Sequence, residues 1–440
     1  MPPGDPTRDA DGGLPPDSTP DEDPDSDGDV DSDPTPDLGP ADRQNPPAYW
    51  SPDDDPAEDD DPDSGPSRFP IVAAARLPGF VVTTILLGAW AGHDLVVNDG
   101  YTVGTWLAEP IDWLFLLSVN VFLFLAVVPL LANPGRTRQY WRRFRRQPWA
   151  VPAFAYLVGF VALGLLGPIL MDPLHLSFTE AYQPPVFASI DAEMITDCVG
   201  STGGGTCHGS WTYPLGTDRN GYSILRLLGS TAHVSVYVAA ITALLIVPIA
   251  VTVGTVAGYY GGLVETALMR YVEIQDTVPA IVVYLLVIFL WGESLLLIIV
   301  FFGFFGWGGV ARRIHSDART VRNEPYVTAG RSLGGSDRYV LRHHVLPNVS
   351  NTVVVATFQQ IPAFLLAEAG IAFLGFESFD LQSFGNVIAR GIEQEAITGA
   401  PGFLAKWWVA TIPALALALA VLSFKIVGDG LRDALDPRTL

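Results

Sequence analysis

Lysine is nearly missing from this chain of 440 residues: Lys406 and Lys425 stand against 23 arginines. Cysteine is equally scarce, with only Cys198 and Cys207. Two cysteines without Cys-x-x-Cys spacing, even with His208 beside one of them, are too few ligands for a structural metal site. No Gly-x-x-x-x-Gly-Lys-Ser/Thr run occurs, so nothing here cradles a nucleotide phosphate. His-Glu-x-x-His and a serine-centred elbow are absent as well. The chain therefore reads as no enzyme, with no catalytic residue, metal or cofactor of its own. If it pumps anything, the energy comes from a partner or an ion gradient. The start lacks a basic segment followed by an apolar one, so no signal peptide is expected.

What is abundant is acid at one end and apolar length elsewhere. Residues 1–66 hold 22 Asp and Glu against 2 Arg, so they account for most of the net charge of −22. That segment is Asp, Pro, Gly and Ser with almost no apolar content, and it cannot offset the entropy of ordering. It reads as a disordered, solvating tail. Beyond it the apolar residues come in blocks of about 20, the length that crosses ~30 Å of hydrocarbon.

Eight such blocks are expected, at about 71–92, 111–132, 149–171, 232–258, 265–291, 295–311, 350–375 and 406–427. The fold class is an all-α polytopic membrane protein in a lipid bilayer. Six arginines, Arg136, Arg138, Arg142, Arg143, Arg145 and Arg146, follow the second block. By the positive-inside rule they fix a cytoplasmic side, which nucleic-acid binding does not explain as simply. Counting from there, the acidic tail and the C-terminus are cytoplasmic, and residues 172–229 form an external loop. Cys198 and Cys207 lie in that loop, where an oxidising exterior would let them pair. Arg312 and Arg313 end the sixth block on the cytoplasmic side again. His315 beside them is expected at the surface. Trp407 and Trp408 open the eighth block as an interfacial pair.

Several polar positions stand out. Thr217 and Asp218 can accept backbone N–H bonds in a turn that Gly221 relaxes. Gly254 and Gly258 are spaced for close helix packing. Arg270, Glu273 and Asp276 near one end of the fifth block suit pairing between helices. Glu368 is a candidate for a translocation path, with a structural hydrogen bond an equal reading. The stretch 324–348 is a polar, helix-prone island. Gly334 and Gly335 break it, Ser336 or Asp337 can cap a second short helix, and Pro347 is expected to end that helix.

This island resembles the EAA loop of ABC-transporter permeases. Thr328, Ala329 and Gly330 stand at the Glu-Ala-Ala positions, Gly334 at the glycine, and His344-Val-Leu-Pro347 at the close. Arg342-His-His-Val-Leu-Pro-Asn348 is similar to the dipeptide/oligopeptide (C-type) branch. So are Gly216-Thr-Asp-Arg-Asn-Gly221, the Glu368 to Phe376 segment, and the ending Gly428-Asp-Gly-Leu-Arg432. Thr328, Gly330, His344, Tyr222 and Ala372 depart from the general patterns. Abundant Asp with scarce Lys also resembles the proteins of extreme halophiles, haloarchaea among them, although a high-GC genome accounts for the missing lysine equally well.

The resemblance implies a division into a tail (1–66), an extra transmembrane hairpin (67–135) and a six-helix permease core (136–440) carrying the coupling loop 313–348. It implies the function of a plasma-membrane permease subunit of an ATP-driven importer, for dipeptides or oligopeptides. Partners would be two ATP-binding subunits, which hold the ATP and Mg, a second homologous permease and an extracellular substrate-binding protein. Glu324, Thr328, Ala329, Gly330, Gly334, Arg338, Arg342 and Pro347 would form the ATPase-coupling loop. A secondary transporter or a membrane scaffold or receptor are the alternatives.

Overall fold

The computed structural model describes residues 78–97, 102–103, 106–107, 109–376, 382–398 and 405–435. The acidic tail and the beginning of the first expected span lie outside them. Helix α1 (Pro78–Val97) leads through two short paired strands, β1 (Thr102–Val103) and β2 (Trp106–Leu107), into α2 (Pro110–Ala132). The two helices run antiparallel. Phe80 meets Phe124, Thr83 donates to Asn120, and Trp113 Nε1 donates to Asp94 at 2.8 Å. Helix α3 (Pro134–Phe144) carries four of the clustered arginines, with Arg145 and Arg146 in the turn just after it, and α4 (Ala150–Leu170) follows.

The loop after α4 holds a three-stranded sheet of β3 (Ser189–Asp191), β4 (Thr202–Gly203) and β5 (Thr206–His208), in the order β3-β5-β4. Then come α5 (Ile224–Tyr260), α6 (Gly262–Thr277), α7 (Ala280–Trp291), α8 (Leu295–Phe305) and α9 (Gly308–Arg322). The chain ends with α10 (Pro325–Ser332), α11 (Asp337–Phe373), α12 (Phe384–Thr398) and α13 (Trp408–Leu435).

Among the described residues six helices are long and apolar enough to cross a bilayer, where about eight were expected. They are α2, α4, α5, the joined α8–α9, α11 and α13. Helix α1 is 20 residues long and has His93 and Asp94 near its end; it is not among the six. The expected fifth span is two helices, not one. Helices α6 and α7 meet at 73°, and only if counted together do they make a seventh span. The break falls at Val278, which is extended because Pro279 disfavours helix in the residue before it. The expected sixth span does not stop at Arg312 and Arg313; its helix continues to Arg322.

Helix α5 is the spine of the bundle. Its Gly254 and Gly258 face α9 so closely that a Cβ on Gly254 would lie 2.7 Å from Ala311 O, and one on Gly258 2.7 Å from the Ala318 side chain. Two glycines four apart thus let the two backbones touch. Val310, Ala311, Ile314 and Ala318 of α9 are completely buried there. The outward faces remain apolar and exposed, as at Leu170, Leu263 and Phe289. On a bundle of helices this long, such surface is what lipid covers.

The ends of the bundle differ. Phe144, at the end of α3, packs against Gly430 of α13, and Asn351 Nδ2 of α11 donates to Leu435 O at 3.0 Å. The arginine cluster, the last turns of α13 and the start of α11 therefore share one end. The sheet-bearing loop sits at the other, where Trp408 begins α13. Trp408 is fully buried and its Nε1 donates to Thr217 O at 3.2 Å. It fastens the loop from inside the protein, its ring closed off from solvent.

Candidate functional site

The stretch 324–348 folds as helix, turn, helix at the arginine-bearing end. Glu324 is the N-cap of α10, with Pro325 at the first helical position, where its missing N–H costs nothing. Val327 of α10 and Val340 and Val345 of α11 are completely buried, so they pin one face of the motif to the bundle. Thr328 and Ala329 lie on the opposite, exposed face, and Gly330 is half-buried with the His344 ring against it. Helix α10 ends in a Schellman turn: Gly335 N–H donates to Gly330 O and Gly334 N–H to Arg331 O. That turn needs the left-handed region, and Gly334 supplies it with φ of +84°. Beside it Leu333 stands 88% exposed, an apolar side chain offered to solvent at the tip.

Ser336 caps α11, its hydroxyl accepting from Tyr339 N–H at 3.3 Å. Arg338 and Arg342 are both exposed on its first turns. Pro347 does not end this helix, contrary to expectation. Residues Leu341–Val345 form a π turn in which Leu346 N–H reaches back to Leu341 O. The wider turn moves the carbonyl that a proline ring would strike, so α11 runs on to Phe373. Rings close the rest of the motif: Tyr339 stacks on His343 at 4.3 Å and faces His344 at 5.8 Å, and Tyr326 meets His344 at 6.2 Å.

One contact here was invisible in the sequence. Tyr259, at the end of α5, donates its hydroxyl to Asp337 Oδ1 at 2.7 Å and accepts from Arg331 Nε at 3.3 Å. The Arg331 guanidinium also sits 4.5 Å from the centre of the Tyr259 ring. The residues are 72 and 78 positions apart in the chain. No local pattern links them.

Charges next to the motif pair between helices. Glu265 of α6 holds His315 at 2.9 Å and Arg319 at 3.2 Å, so His315 is half-buried in a contact where a surface position was expected. Arg312 pairs with Asp276, while Arg270 pairs with Glu273 along α6 at 2.8 Å. Arg313 donates to Gln359, which donates to Asp429, linking α9, α11 and α13.

At the other end Cys198 and Cys207 are joined by a disulfide. Gln183 fastens the bridged loop, donating to Asp197 O and accepting from Val199 N–H. Thr217 accepts from Gln183 N–H, Asp218 accepts from Asn220 and Tyr222 N–H, and Gly221 has φ of +76°. Burial pushes the Asp218 carboxyl up, with those two N–H bonds opposing it. Tyr213, bonded to Glu180 at 2.6 Å, is pushed up from 10.0 to about 12, chiefly by burial. Lys406 Nζ lies 3.6 Å over the Tyr182 ring, and burial lowers its pKa. Glu368 is packed into the bundle, 1% exposed on α11. Among the described residues no group of acidic, histidine or cysteine side chains is arranged to hold a metal.

The family model described as the binding-protein-dependent transport system inner membrane component matches residues 250–440. A second, described as the N-terminal TM domain of oligopeptide transport permease C, matches residues 135–185. The chain is 28% identical over 305 residues to the dipeptide transport system permease protein DppC of Bacillus subtilis, covering 69% of this chain and 86% of that one. It is 31% identical over 302 residues to the oligopeptide transport system permease protein OppC of Mycobacterium bovis, covering 67% and 92%. With OppC of Haemophilus influenzae it shares 30% over 225 residues, 51% and 70% of the two chains.

Proposed function

The chain belongs to the dipeptide/oligopeptide permease family of ABC importers, and on that premise we propose that residues 324–348 are the surface through which ATP-binding subunits drive it. The observation that carries this reading is the two-faced build of the motif. Val327, Val340 and Val345 anchor it, while Thr328, Ala329, Leu333, Gly334, Arg338 and Arg342 are exposed on its outer side. Short helices held rigidly from behind are suited to fill a groove on a partner. Arg338 and Arg342 add positive charge for acidic groups there, and Glu324 caps the first helix of the motif.

In this reading the arginine-bearing end is cytoplasmic, supported by the clustering of Arg136–Arg146 with Arg312 and Arg313. Both termini are then cytoplasmic, and the disulfide-bridged loop is external. Two ATP-binding subunits, a second homologous permease and an external substrate-binding protein complete the importer, and ATP and Mg are bound by the ATP-binding subunits. The cargo is a dipeptide or oligopeptide, as the names of the relatives suggest. Glu368 lines or braces the path, the acidic residues 1–66 are a solvating tail, and α1 and α2 are an addition ahead of the permease core.

The test is purification of the tagged chain from native membranes in mild detergent. Two ATP-binding subunits and a second permease co-purify with the wild type. Ala329→Asp, which places a charge on the outward face of α10 without touching its buried side, loses the ATP-binding subunits and keeps the second permease. A chain that purifies alone overturns the reading.

A further inference from the structure

The Tyr259 contact has a second reach, because α5 is bound to the coupling motif at two levels. Gly254 and Gly258 lock α5 against α9, the helix that leads into the motif. One residue beyond Gly258, Tyr259 grips both limbs of the motif itself. Its hydroxyl is shared between Arg331, on the last turn of α10, and Asp337, on the first turn of α11. The Arg331 guanidinium covers its ring, and the residue is 2% exposed. The turn between the limbs is closed by its own backbone bonds, Gly335 N–H to Gly330 O and Gly334 N–H to Arg331 O, and neither reaches α5. Removing the Tyr259 hydroxyl would leave α10 and α11 joined by their turn but separately attached to the bundle.

We propose that Tyr259 is the positioning residue that makes the coupling motif and α5 move as one body, so that displacement of α10 by an ATP-binding subunit is passed into the membrane along α5. The inference rests on the docking role given to residues 324–348 above. It adds the element that receives the motion. Arg331 and Asp337 act through Tyr259: one orients its ring, the other fixes its proton.

Hydrogen exchange on the purified importer complex tests this without reference to the cargo. In the wild type, trapping with Mg-ATP and orthovanadate changes exchange in 324–348 and in the last turns of α5, residues 248–260. Tyr259→Phe keeps the ring under Arg331, retains the ATP-binding subunits and still hydrolyses ATP. In that variant the nucleotide-driven change in 248–260 falls about fivefold or more, as expected for loss of an ordinary coupling energy, while the change in 324–348 persists.

A Tyr259→Phe complex whose 248–260 segment responds as the wild type overturns the proposal. So does one that loses its ATP-binding subunits, since Tyr259 would then merely hold the motif in shape. A wild-type chain with no ATP-binding subunits is a different failure: it overturns the docking reading first and the Tyr259 role with it.

Discussion

Gly334 shows what a single residue decides in the helix-turn-helix stretch 324–348. Its φ of +84° lies where a Cβ collides with the following carbonyl, at roughly 1–2 kcal/mol for an ordinary residue. Gly334→Val should therefore loosen the turn, and trypsin should cut at Arg331 or Arg338 about tenfold faster, following the population of the open form. Gly334→Asn should stay near the wild-type rate, because asparagine visits this region at low cost. Equal rates for glycine and valine would show that the turn is not held in the left-handed form. In the loop at the other end, Tyr213 and Tyr182 are both pushed up from 10.0 to about 12 by burial. A raised pKa means the folded loop holds the proton longer than the unfolded one. The stabilisation is complete below pH 10 and is lost as pH rises through about 12. Tyrosinate absorbance and tryptic cleavage of the loop should rise together over that window, and Tyr213→Phe should lessen the pH dependence of the cleavage.

Among the elements, α5 and α9 owe their contact to missing side chains. Gly258→Leu would drive a branched side chain into Ala318 and His315 O, where a single Cβ already falls within 2.8 Å. Overpacking of this kind typically costs about 1–3 kcal/mol. The thermal midpoint of the detergent-solubilised chain should fall, while Gly262→Ala, whose Cβ meets nothing within 4 Å, tests backbone conformation without steric conflict. Unchanged stability in Gly258→Leu would mean that α9 can move aside. This packing was legible in the sequence, because two glycines four apart in an apolar run have few other uses. The fate of Pro347 was not. A proline rule treats the helix as having one hydrogen-bonding period, and the Leu341–Val345 turn changes that period just ahead of the ring. The same device precedes Pro129 in α2, where Leu123–Val127 is also a π turn.

At the scale of the whole molecule, apolar length and arginine placement revealed a multi-pass bundle, and the spaced landmarks from Gly216 to Arg432 revealed its family. The contacts that tie distant helices together, such as Tyr259 with Asp337 or Trp408 with Thr217, have no counterpart in spacing. They depend on which faces meet after packing. The attachment of α1 and α2 is of this kind. Asp112 accepts from Tyr237 of α5 at 2.8 Å, and Phe115 stacks on the same ring at 4.1 Å. Tyr237→Phe keeps the stack and removes the bond, leaving a buried carboxylate one partner short at a cost of about 1–3 kcal/mol. Backbone exchange in 110–122 should then rise about tenfold while that of 346–373 stays unchanged; a uniform rise or none would contradict this attachment.

That bond also has a history, since its two ends are made at different times. Asp112 and Tyr237 are 125 residues apart. At a synthesis rate of about 5–20 residues per second, the carboxylate reaches its place roughly ten seconds before its tyrosine is made. In that interval it is not without company, because Asp112 Oδ2 accepts from Glu109 N–H at 2.8 Å within its own first turn. The local cap lets the early hairpin wait for the helix it will join.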